Sequence, residues 1–422
     1  MTSWDEIGFG PWPADRIIPQ ARPDAATRAR AGLPATVGPV PGARQPMVFD
    51  PALKQHARAV RAGEPRFTDP AVQARWLAAR RRARDHVLAA IAASPWREHL
   101  VLRGSVLLRA WYGDDAREPG DLDFVVVPGD WELDDPRTAA LFKDVAAGAE
   151  ALSGGDDVRV DATEVLSDEI WTYDRVPGRR LVLGWHAGGL EGSVQLDFVF
   201  GELLPVPPEP TVLPGGVELL GATRELSLAW KVMWVLNDMY PQGKDAYDAL
   251  LLARDTTLTY RLLARVYVAA DASDLHRLPR ASDLGPDVDW DEFAKEYPGL
   301  PGGVADAARL RAFLTPLLTG ATGLPEDPHD RAVELLRPRI AHYAGVLARE
   351  GMDGVVRRMA GPDRVWFPEA TVIVLALRGR DRADAPAVLD EVMRGYAAAD
   401  ERWARYLRRS PRARDLALDR LR

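Results

Sequence analysis

Residues 100–128, LVLRGSVLLRAWYGDDAREPGDLDFVVVP, contain the order of elements that decides the fold. Leu100-Val101-Leu102 is short and apolar enough for a buried strand, Arg103-Gly104-Ser105 predicts a turn, and residues 106–112 suit a short helix. After the loop GDDAREPG, the β-branched run DLDFVVVP predicts an inner strand. The segment therefore predicts a strand, a turn, a helix, a loop and a second strand.

The chain around this segment divides into regions of different composition. Residues 1–66 are rich in proline and glycine and predict an irregular arm. Residues 67–220 open with a helix after Asp69-Pro70 and continue as strands, which predicts an α/β domain. The five prolines and three glycines of residues 201–216 predict the end of its sheet. Residues 221–320 predict a helical region, and residues 321–422 a helical extension with a basic tail.

Composition excludes several classes of protein. The absence of cysteine excludes disulfides, thiolate zinc sites and cysteine nucleophiles. A net charge of −8 argues against a protein that coats nucleic acid, although residues 402–422 hold eight arginines against two aspartates. That basic tail is either a solvated helix end or a contact for a polyanion. No apolar run is long enough for a membrane helix, and no secretory signal opens the chain, so we expect a cytoplasmic protein.

Two aspartates at the start of the second predicted strand are candidate metal ligands. Asp121 and Asp123 lie two residues apart, so their side chains project from the same face of a strand. Carboxylates that face one way repel each other unless a cation lies between them, and oxygen ligands suit Mg²⁺ or Mn²⁺. Gly104-Ser105 opens a helix directly after a strand, where backbone N–H groups and the helix dipole can bind phosphate. Metal and phosphate together indicate a nucleoside triphosphate.

A third acid, Asp197, lies in the apolar strand SVQLDFVFGE. The alternation of Val194 and Leu196 predicts that Asp197 lies off the main core face. An acid in so apolar a strand is costly without a partner, and a third carboxylate would complete a two-metal site. Asp161, in VRVDATEV, is the alternative third acid. The alternative for Asp197 itself is an exposed residue of an edge strand.

These motifs, followed by ELSLAWKVMWVLND and GKDAYDALL, resemble the AbiEii/AbiGii-type nucleotidyltransferase toxins of the polymerase-β-like nucleotidyltransferase superfamily. The resemblance covers roughly residues 70–255. The family pattern has a Gly-Gly-Thr/Ser turn, an Arg-x-Ser-x-Asp-x-Asp strand entry, a helix lysine and a Lys/Arg-Asp-x-x-Asp helix. The matching residues are Gly104, Ser105, Arg117, Asp121, Asp123, Lys231, Lys244, Asp245 and Asp248. Arg103 replaces the first glycine, and Pro119 replaces the serine.

The resemblance implies an α/β nucleotidyltransferase domain with a mixed sheet and a mainly helical C-terminal half. It also implies Mg²⁺ or Mn²⁺ on Asp121, Asp123 and Asp197, and transfer of a nucleotide from an NTP to a hydroxyl with release of pyrophosphate. Gly104, Ser105 and Lys231 would hold the phosphates.

The family's second helix motif allows two interpretations. Lys244 and Asp248 alone would be an ordinary ion pair on a helix surface. The resemblance favours Asp245 as the functional acid and counts Lys244 and Asp248 among the nucleotide-binding residues. Arg117 is either a phosphate clamp or a loop cation.

The family further implies the toxin of a bacterial toxin–antitoxin or phage-defence pair. Its expected partners are an NTP, an RNA acceptor such as the 3′ end of tRNA, and a cognate antitoxin protein, with no membrane. Transfer to a small molecule or a protein side chain is one alternative. The other is a non-catalytic protein that binds a partner on the same scaffold.

Overall fold

The computed structural model describes residues 3–10, 12–13, 15–172, 176–238, 241–270, 278–285, 288–300, 304–361 and 363–421. Its strands are β1 (Met47–Phe49), β2 (Val60–Ala62), β3 (Leu100–Arg103), β4 (Asp121–Val126), β5 (Val158–Thr172), β6 (Val176–Ala187), β7 (Leu190–Val199), β8 (Glu209–Val212) and β9 (Glu218–Gly221). Its helices are α1 (Ala25–Ala31), α2 (Pro70–Ala93), α3 (Ser105–Tyr112), α4 (Pro136–Ser153), α5 (Arg224–Asn237), α6 (Gly243–Leu252), α7 (Tyr260–Ala270), α8 (Trp290–Glu296), α9 (Val304–Thr319), α10 (Pro328–Leu335), α11 (Arg337–Ala360), α12 (Phe367–Arg378), α13 (Ala385–Ala399), α14 (Glu401–Arg409) and α15 (Ala413–Leu421).

Local capping chemistry sets where the helices around the site begin. Asp69 accepts a hydrogen bond from the N–H of Ala71 at 2.8 Å, and Pro70 occupies the first position of α2. The hydroxyl of Thr223 accepts from the N–H of Leu226 at 3.2 Å at the start of α5. The start of α2 agrees with the helix predicted after Asp69-Pro70, and α5 begins within the predicted helical region of residues 221–320.

The main sheet is mixed, with the strand order β5-β6-β7-β4-β3-β9-β8. β4 runs antiparallel to β3 and parallel to β7, and β7 runs antiparallel to β6. The strands predicted from residues 100–128 therefore lie in the middle of the sheet. The predicted mixed α/β fold is confirmed.

The two faces of the central strands differ in chemistry. Phe124 of β4 stacks on Phe198 of β7, with ring centroids 5.6 Å apart, and Phe142 of α4 packs on Phe198 from the helix layer. Because neighbouring residues of a strand point to opposite faces, Asp123 and Asp197 project from the other side. The apolar face packs against the helix layer and forms the core, whereas the second face carries the acids.

The prediction that the sheet ends near residue 200 is wrong. β8 and β9 pair antiparallel after that point, and β9 joins β3 in parallel. β8 contains Pro210, and it lies at the edge of the sheet, where a proline has no second neighbouring strand that needs its missing N–H. Proline content therefore did not exclude a strand here.

The chain divides into two compact units. The first comprises residues 1–202, 207–256 and 285–310 and contains the sheet. The second comprises residues 203–206, 257–284 and 311–422 and is helical, with a core around the fully buried Tyr343, Ile373 and Tyr396. Among the helices that the structure describes, none combines the length and apolar character needed to span a bilayer.

Candidate active site

A row of charged residues crosses four adjacent strands at one level of the sheet. Arg180 of β6 lies opposite Asp197 of β7, Asp197 lies opposite Asp123 of β4, and Asp123 lies opposite Arg103 of β3. Residues directly opposite each other share a face, and like charges in that position destabilise a sheet. The facing pair Asp123 and Asp197 is therefore unfavourable unless a cation neutralises it.

The three predicted acids converge. One carboxylate oxygen each of Asp121, Asp123 and Asp197 lies within 4.8 Å of the others. Asp121 and Asp123 are half-buried, and neither accepts a hydrogen bond from any residue that the structure describes. Carboxylate oxygens that accept no hydrogen bond, such as those of Asp121 and Asp123, suit a hard divalent cation such as Mg²⁺ or Mn²⁺. The donor set therefore fits the metal that the sequence predicts.

Asp197 is held differently from the other two acids. Arg180 donates from Nε to Oδ1 of Asp197 at 2.9 Å and from Nη2 to Oδ2 at 2.8 Å. The third nitrogen of the same guanidinium donates to Oδ2 of Asp50 at 2.8 Å. All three side chains are buried. Gln195 also donates from Nε2 to both oxygens of Asp197, each at 3.2 Å, so the carboxylate is oriented from two sides.

Burial and neighbouring charges shift the pKa values of the three acids in different directions. Burial, followed by the charge of Asp121, raises the pKa of Asp123 to about 7. Burial also raises the pKa of Asp197, although Arg180 works against it. At Asp121 burial is outweighed by the charges of Lys244, Arg117 and Arg180, which hold the pKa of Asp121 below its ordinary value. Asp121 is therefore held ionised, and its negative charge raises the pKa of both neighbouring acids.

The predicted phosphate turn lies directly against the acids. Gly104 has φ +80°, and a Cβ added there would lie 2.5 Å from Oδ2 of Asp123. Only glycine satisfies both the backbone and the close approach. The hydroxyl of Ser105 is buried and has no hydrogen-bond partner among the described residues. The turn places backbone N–H groups beside Asp123, while the Ser105 side chain lies within the protein.

Arg103, which replaces the first glycine of the family turn, is a buried part of the same site. Its Nη1 donates to Oε2 of Glu202 at 2.7 Å. Its guanidinium lies 5.3 Å from the ring centroid of Trp230 and 5.6 Å from that of Trp234. The positive charge of Arg103 works against the raised pKa of Asp123. The substitution therefore adds a fixed cation beside the acids.

The two helix motifs form a buried ion cluster. The ammonium of Lys231 donates to Asp245 at 2.7 Å and lies 3.0 Å from Oδ2 of Asp248. Arg117 donates from Nη2 to the same Oδ2 at 3.0 Å and from Nη1 to the hydroxyl of Tyr297 at 3.1 Å. Asp248 is fully buried. The alternative of an ordinary surface pair between Lys244 and Asp248 does not apply, because Arg117 and Lys231 contact the buried Asp248 carboxylate.

Lys244 is the cation of this motif that remains half-buried at the site. It lines the same cavity as the three acids, and its charge helps to lower the pKa of Asp121. It donates no hydrogen bond to any described residue. The chain has five lysines. Acids neutralise the ammonium of Lys231, whereas Lys244 lines the cavity.

The cavity above the acids has a volume of about 260 Å³. Residues 36–65 of the predicted arm line one side of it, including Asp50, Arg61 and Glu64. Sequence reasoning missed these residues and Arg180, because their placement depends on strand register and on contacts distant in the chain. Asp161, the alternative third acid, lies elsewhere on β5 and accepts from the N–H and hydroxyl of Thr163 at 2.7 Å and 2.6 Å.

A mixed sheet with carboxylates on adjacent parallel strands, beside a glycine turn that opens a helix, defines the class of nucleotidyltransferase folds. The family described as "Nucleotidyl transferase AbiEii toxin, Type IV TA system" matches residues 86–314, more than half of the chain, and the chain belongs to that family. The resemblance inferred from the sequence is therefore confirmed.

Two solved structures are also similar to the chain. JHP933 from Helicobacter pylori shares 14% identity and a TM-score of 0.33, over 65% of this chain and 94% of that one. A candidate nucleotidyltransferase from H. pylori shares 16% identity and a TM-score of 0.32, over 56% of this chain and 94% of that one. Among curated proteins, none matches the chain.

Proposed function

We propose that the chain is a metal-dependent nucleotidyltransferase that moves an NMP from an NTP to an acceptor hydroxyl and releases pyrophosphate. The observation that carries this proposal is the facing of Asp123 and Asp197 across parallel strands, with Asp121 on the same face. A structural role alone would not favour like charges in that position. Family membership supports the same chemistry.

Asp121, Asp123 and Asp197 would hold Mg²⁺ or Mn²⁺. When bound, the metal neutralises charge on the phosphates and lowers the pKa of the attacking hydroxyl. The chain's own residues supply the rest. Arg180 fixes the Asp197 carboxylate in one orientation, and Gly104 lets Asp123 approach the turn.

The triphosphate would lie between the glycine turn and Lys244. The backbone N–H groups at Gly104 and Ser105 open helix α3, where anions are stabilised. Lys244 offers an ammonium in the cavity, while Lys231 is bound by Asp245 and Asp248. We therefore assign contact with the phosphates to Lys244 as well as to Lys231. Because Lys231 pairs with Asp245, it would also position that acid.

The proposed reaction is an in-line displacement. The acceptor oxygen attacks the α-phosphorus, and the bond from that phosphorus to the bridging oxygen breaks with loss of pyrophosphate. Asp197, whose carboxylate lies in the acid cluster beside Asp123, would take the hydroxyl proton.

We propose an RNA acceptor, such as the 3′ end of tRNA, and a toxin that acts in the bacterial cytoplasm with a cognate antitoxin, with phage defence as a role of the pair. The family supports the toxin role. Two exposed arginines of α14, Arg405 and Arg409, have no ion pair with a described residue and suit contact with phosphates, whereas Arg402 and Arg408 pair with acids. Transfer to a small molecule or a protein side chain is the alternative acceptor chemistry.

The test is transfer of label from each α-³²P NTP to total RNA, to small molecules and to protein. We expect Mg²⁺- or Mn²⁺-dependent labelling of RNA by the wild type and its loss in Asp121→Asn/Asp123→Asn. Asp161→Asn is the matched control, because Asp161 lies outside the acid cluster. Label on another acceptor would overturn the RNA assignment. Labelling that survives in the double variant would overturn the metal site, and no labelling of any acceptor would favour a non-catalytic scaffold.

A further inference from the structure

A second cavity adjoins the one above the acids. It has a volume of about 280 Å³ and shares five lining residues with the first cavity, namely Pro51, Arg61, Gln242, Lys244 and Glu296. Its remaining lining is largely apolar and includes Val48, Phe49, Pro241 and Phe293. Of the predicted motif residues, Lys244 lines this cavity, and the other motif residues do not.

The walls of the second cavity are firmly held. Phe293 of α8 is buried, with its ring stacked on Tyr247 at 5.5 Å between centroids and edge-on to Trp290 at 5.8 Å. A Cβ added at Gly243 would lie 2.5 Å from the Cβ of Phe293, so glycine at the start of α6 lets α8 approach. Opposite these helices, Phe49 ends strand β1, which pairs with β2 through Val60. The cavity is therefore built from fixed elements.

One polar group at this cavity remains available to a ligand. Gln242 lines both cavities, and its side-chain amide makes no hydrogen bond with any described residue. An amide offers one acceptor and two donors, which is the pattern that pairs with the edge of a heterocyclic base. The acids on this wall are engaged: Asp289 caps α8 by accepting from Glu292, and Glu292 pairs with Lys295.

We infer that the second cavity binds a nucleobase, an inference that rests on the proposed nucleotidyl transfer. An apolar cavity of about 150 Å³ holds a benzene ring, so this one has room for a purine or pyrimidine. Aromatic and proline walls favour a flat ring, and Gln242 can contact its edge. Lys244 lies at the junction, where the phosphate of the same nucleotide would lie near Asp121.

Part of this cavity comes from residues outside the matched family region. Val48, Phe49, Pro51 and Arg61 precede residue 86, where the family match begins. Arg61 pairs with Glu296 of α8 and lies 3.9 Å from Asp50, which ties this segment to both sides of the site. The N-terminal segment would therefore supply apolar walls for the base, and Gln242, inside the matched region, would contact its edge.

The base could belong to the NTP or to the end of the acceptor, and binding assays on the full chain distinguish the two. Equilibrium binding of the four NTPs and of inorganic tripolyphosphate, with Mg²⁺, is compared for wild type, Phe49→Ala and Gln242→Ala. Tripolyphosphate has no base and reports on the metal and phosphate contacts alone. Phe142→Ala, a half-buried phenylalanine on the other face of the sheet, controls for general loss of packing.

If the NTP base occupies the cavity, Phe49→Ala weakens NTP binding roughly five- to a hundredfold and leaves tripolyphosphate binding unchanged. Gln242→Ala, which removes no apolar packing, then changes the order of preference among the four NTPs. If the acceptor base occupies it, NTP binding is unchanged and the KM for an oligoribonucleotide acceptor rises by a similar factor.

The inference fails if both variants leave NTP binding and acceptor KM unchanged, or if tripolyphosphate binding falls as much as NTP binding. The proposed function fails separately, if the wild type binds neither NTP nor tripolyphosphate with Mg²⁺, or if Asp121→Asn/Asp123→Asn binds both like the wild type.

Discussion

Two glycines at opposite ends of α3 offer a test of the contact between the phosphate turn and the acids. Gly104 has φ 80° and ψ −150°, and Gly113 has φ 56° and ψ −129°. Both lie in a region that essentially only glycine adopts, so replacement by alanine costs about 1–3 kcal/mol at either position. An added Cβ meets nothing within 4 Å at Gly113 but lies 2.5 Å from Oδ2 of Asp123 at Gly104.

Gly104→Ala and Gly113→Ala should therefore differ in metal binding much more than in stability. The carboxylate of Asp123 has to move by roughly 1 Å to clear a Cβ, and the end of a side chain can do so cheaply. We expect both variants to melt at similarly lowered temperatures. We expect Gly104→Ala alone to weaken Mn²⁺ binding about ten- to a hundredfold, because it displaces a ligand.

Mn²⁺ binding is measured by electron paramagnetic resonance, with the melting temperature of each variant recorded in the same buffer. Equal Mn²⁺ affinities for Gly104→Ala and Gly113→Ala would refute the argument that Asp123 is a ligand placed by the glycine turn. A large loss in Gly113→Ala would show that the effect comes from α3 as a whole and not from the contact.

Three further predictions concern the buried ions, the N-terminal segment and the basic tail. Asp248→Asn should destabilise the chain by about 3–5 kcal/mol, because it leaves buried cations without this partner, whereas exposed Asp115→Asn should cost at most about 1 kcal/mol. Hydrogen bonds from His56 and from residues 35–36 hold the pKa of Asp168 at about 2 despite its burial. The stabilising effect of ionised Asp168 is therefore complete above pH 3.8 and is lost as the pH falls toward 2. Asp168→Asn should remove that part of the pH dependence of melting. In RNA binding by the inert Asp121→Asn/Asp123→Asn chain, adding Arg405→Ala/Arg409→Ala should reduce the salt slope by roughly 1.4.

Each of these expectations has a clear contrary result. Equal melting temperatures for Asp248→Asn and Asp115→Asn would show that the ion cluster is not a buried one. If the wild type and Asp168→Asn lose stability in parallel between pH 4 and 2, the contact of Asp168 with the N-terminal segment is not the cause of the pH dependence. The arginine control is Arg337→Ala/Arg357→Ala on α11, where two exposed arginines face acids. A salt slope lowered equally by both pairs would assign the effect to net charge.

Short-range patterns in the sequence predicted the elements that form the site. Asp121 and Asp123 lie on one face because a strand repeats every two residues, and Gly104 follows an apolar run short enough to be a strand. Both features depend only on neighbours in the chain. The alternation around Asp197 similarly predicted the face from which it projects.

Long-range pairing could not be predicted in the same way. Arg180 lies opposite Asp197 because β6 and β7 pair in one register, and a shift of one residue would send Arg180 to the other face. Lys231 matches the helix lysine of the family pattern, and it can be buried because Asp245 and Asp248 of α6 neutralise it. Neither partner is fixed by local periodicity. The arm was expected to be irregular, and nothing in its composition placed Asp50 beside the sheet.

The connection from Asp50 to Asp197 makes the N-terminal segment part of the chemistry of the site. Arg180 is buried and has two carboxylate partners, so its position is determined by both at once. Removing Asp50 would leave Asp197 as the only described acid in ion-pair contact with this guanidinium. Arg180 and Asp197 are already joined by two hydrogen bonds at 2.9 Å and 2.8 Å, so the loss of Asp50 would release the guanidinium on its other side and loosen the orientation of Asp197. The family motifs hold the acids on the sheet, but the orientation of the third acid depends on a residue that lies outside those motifs.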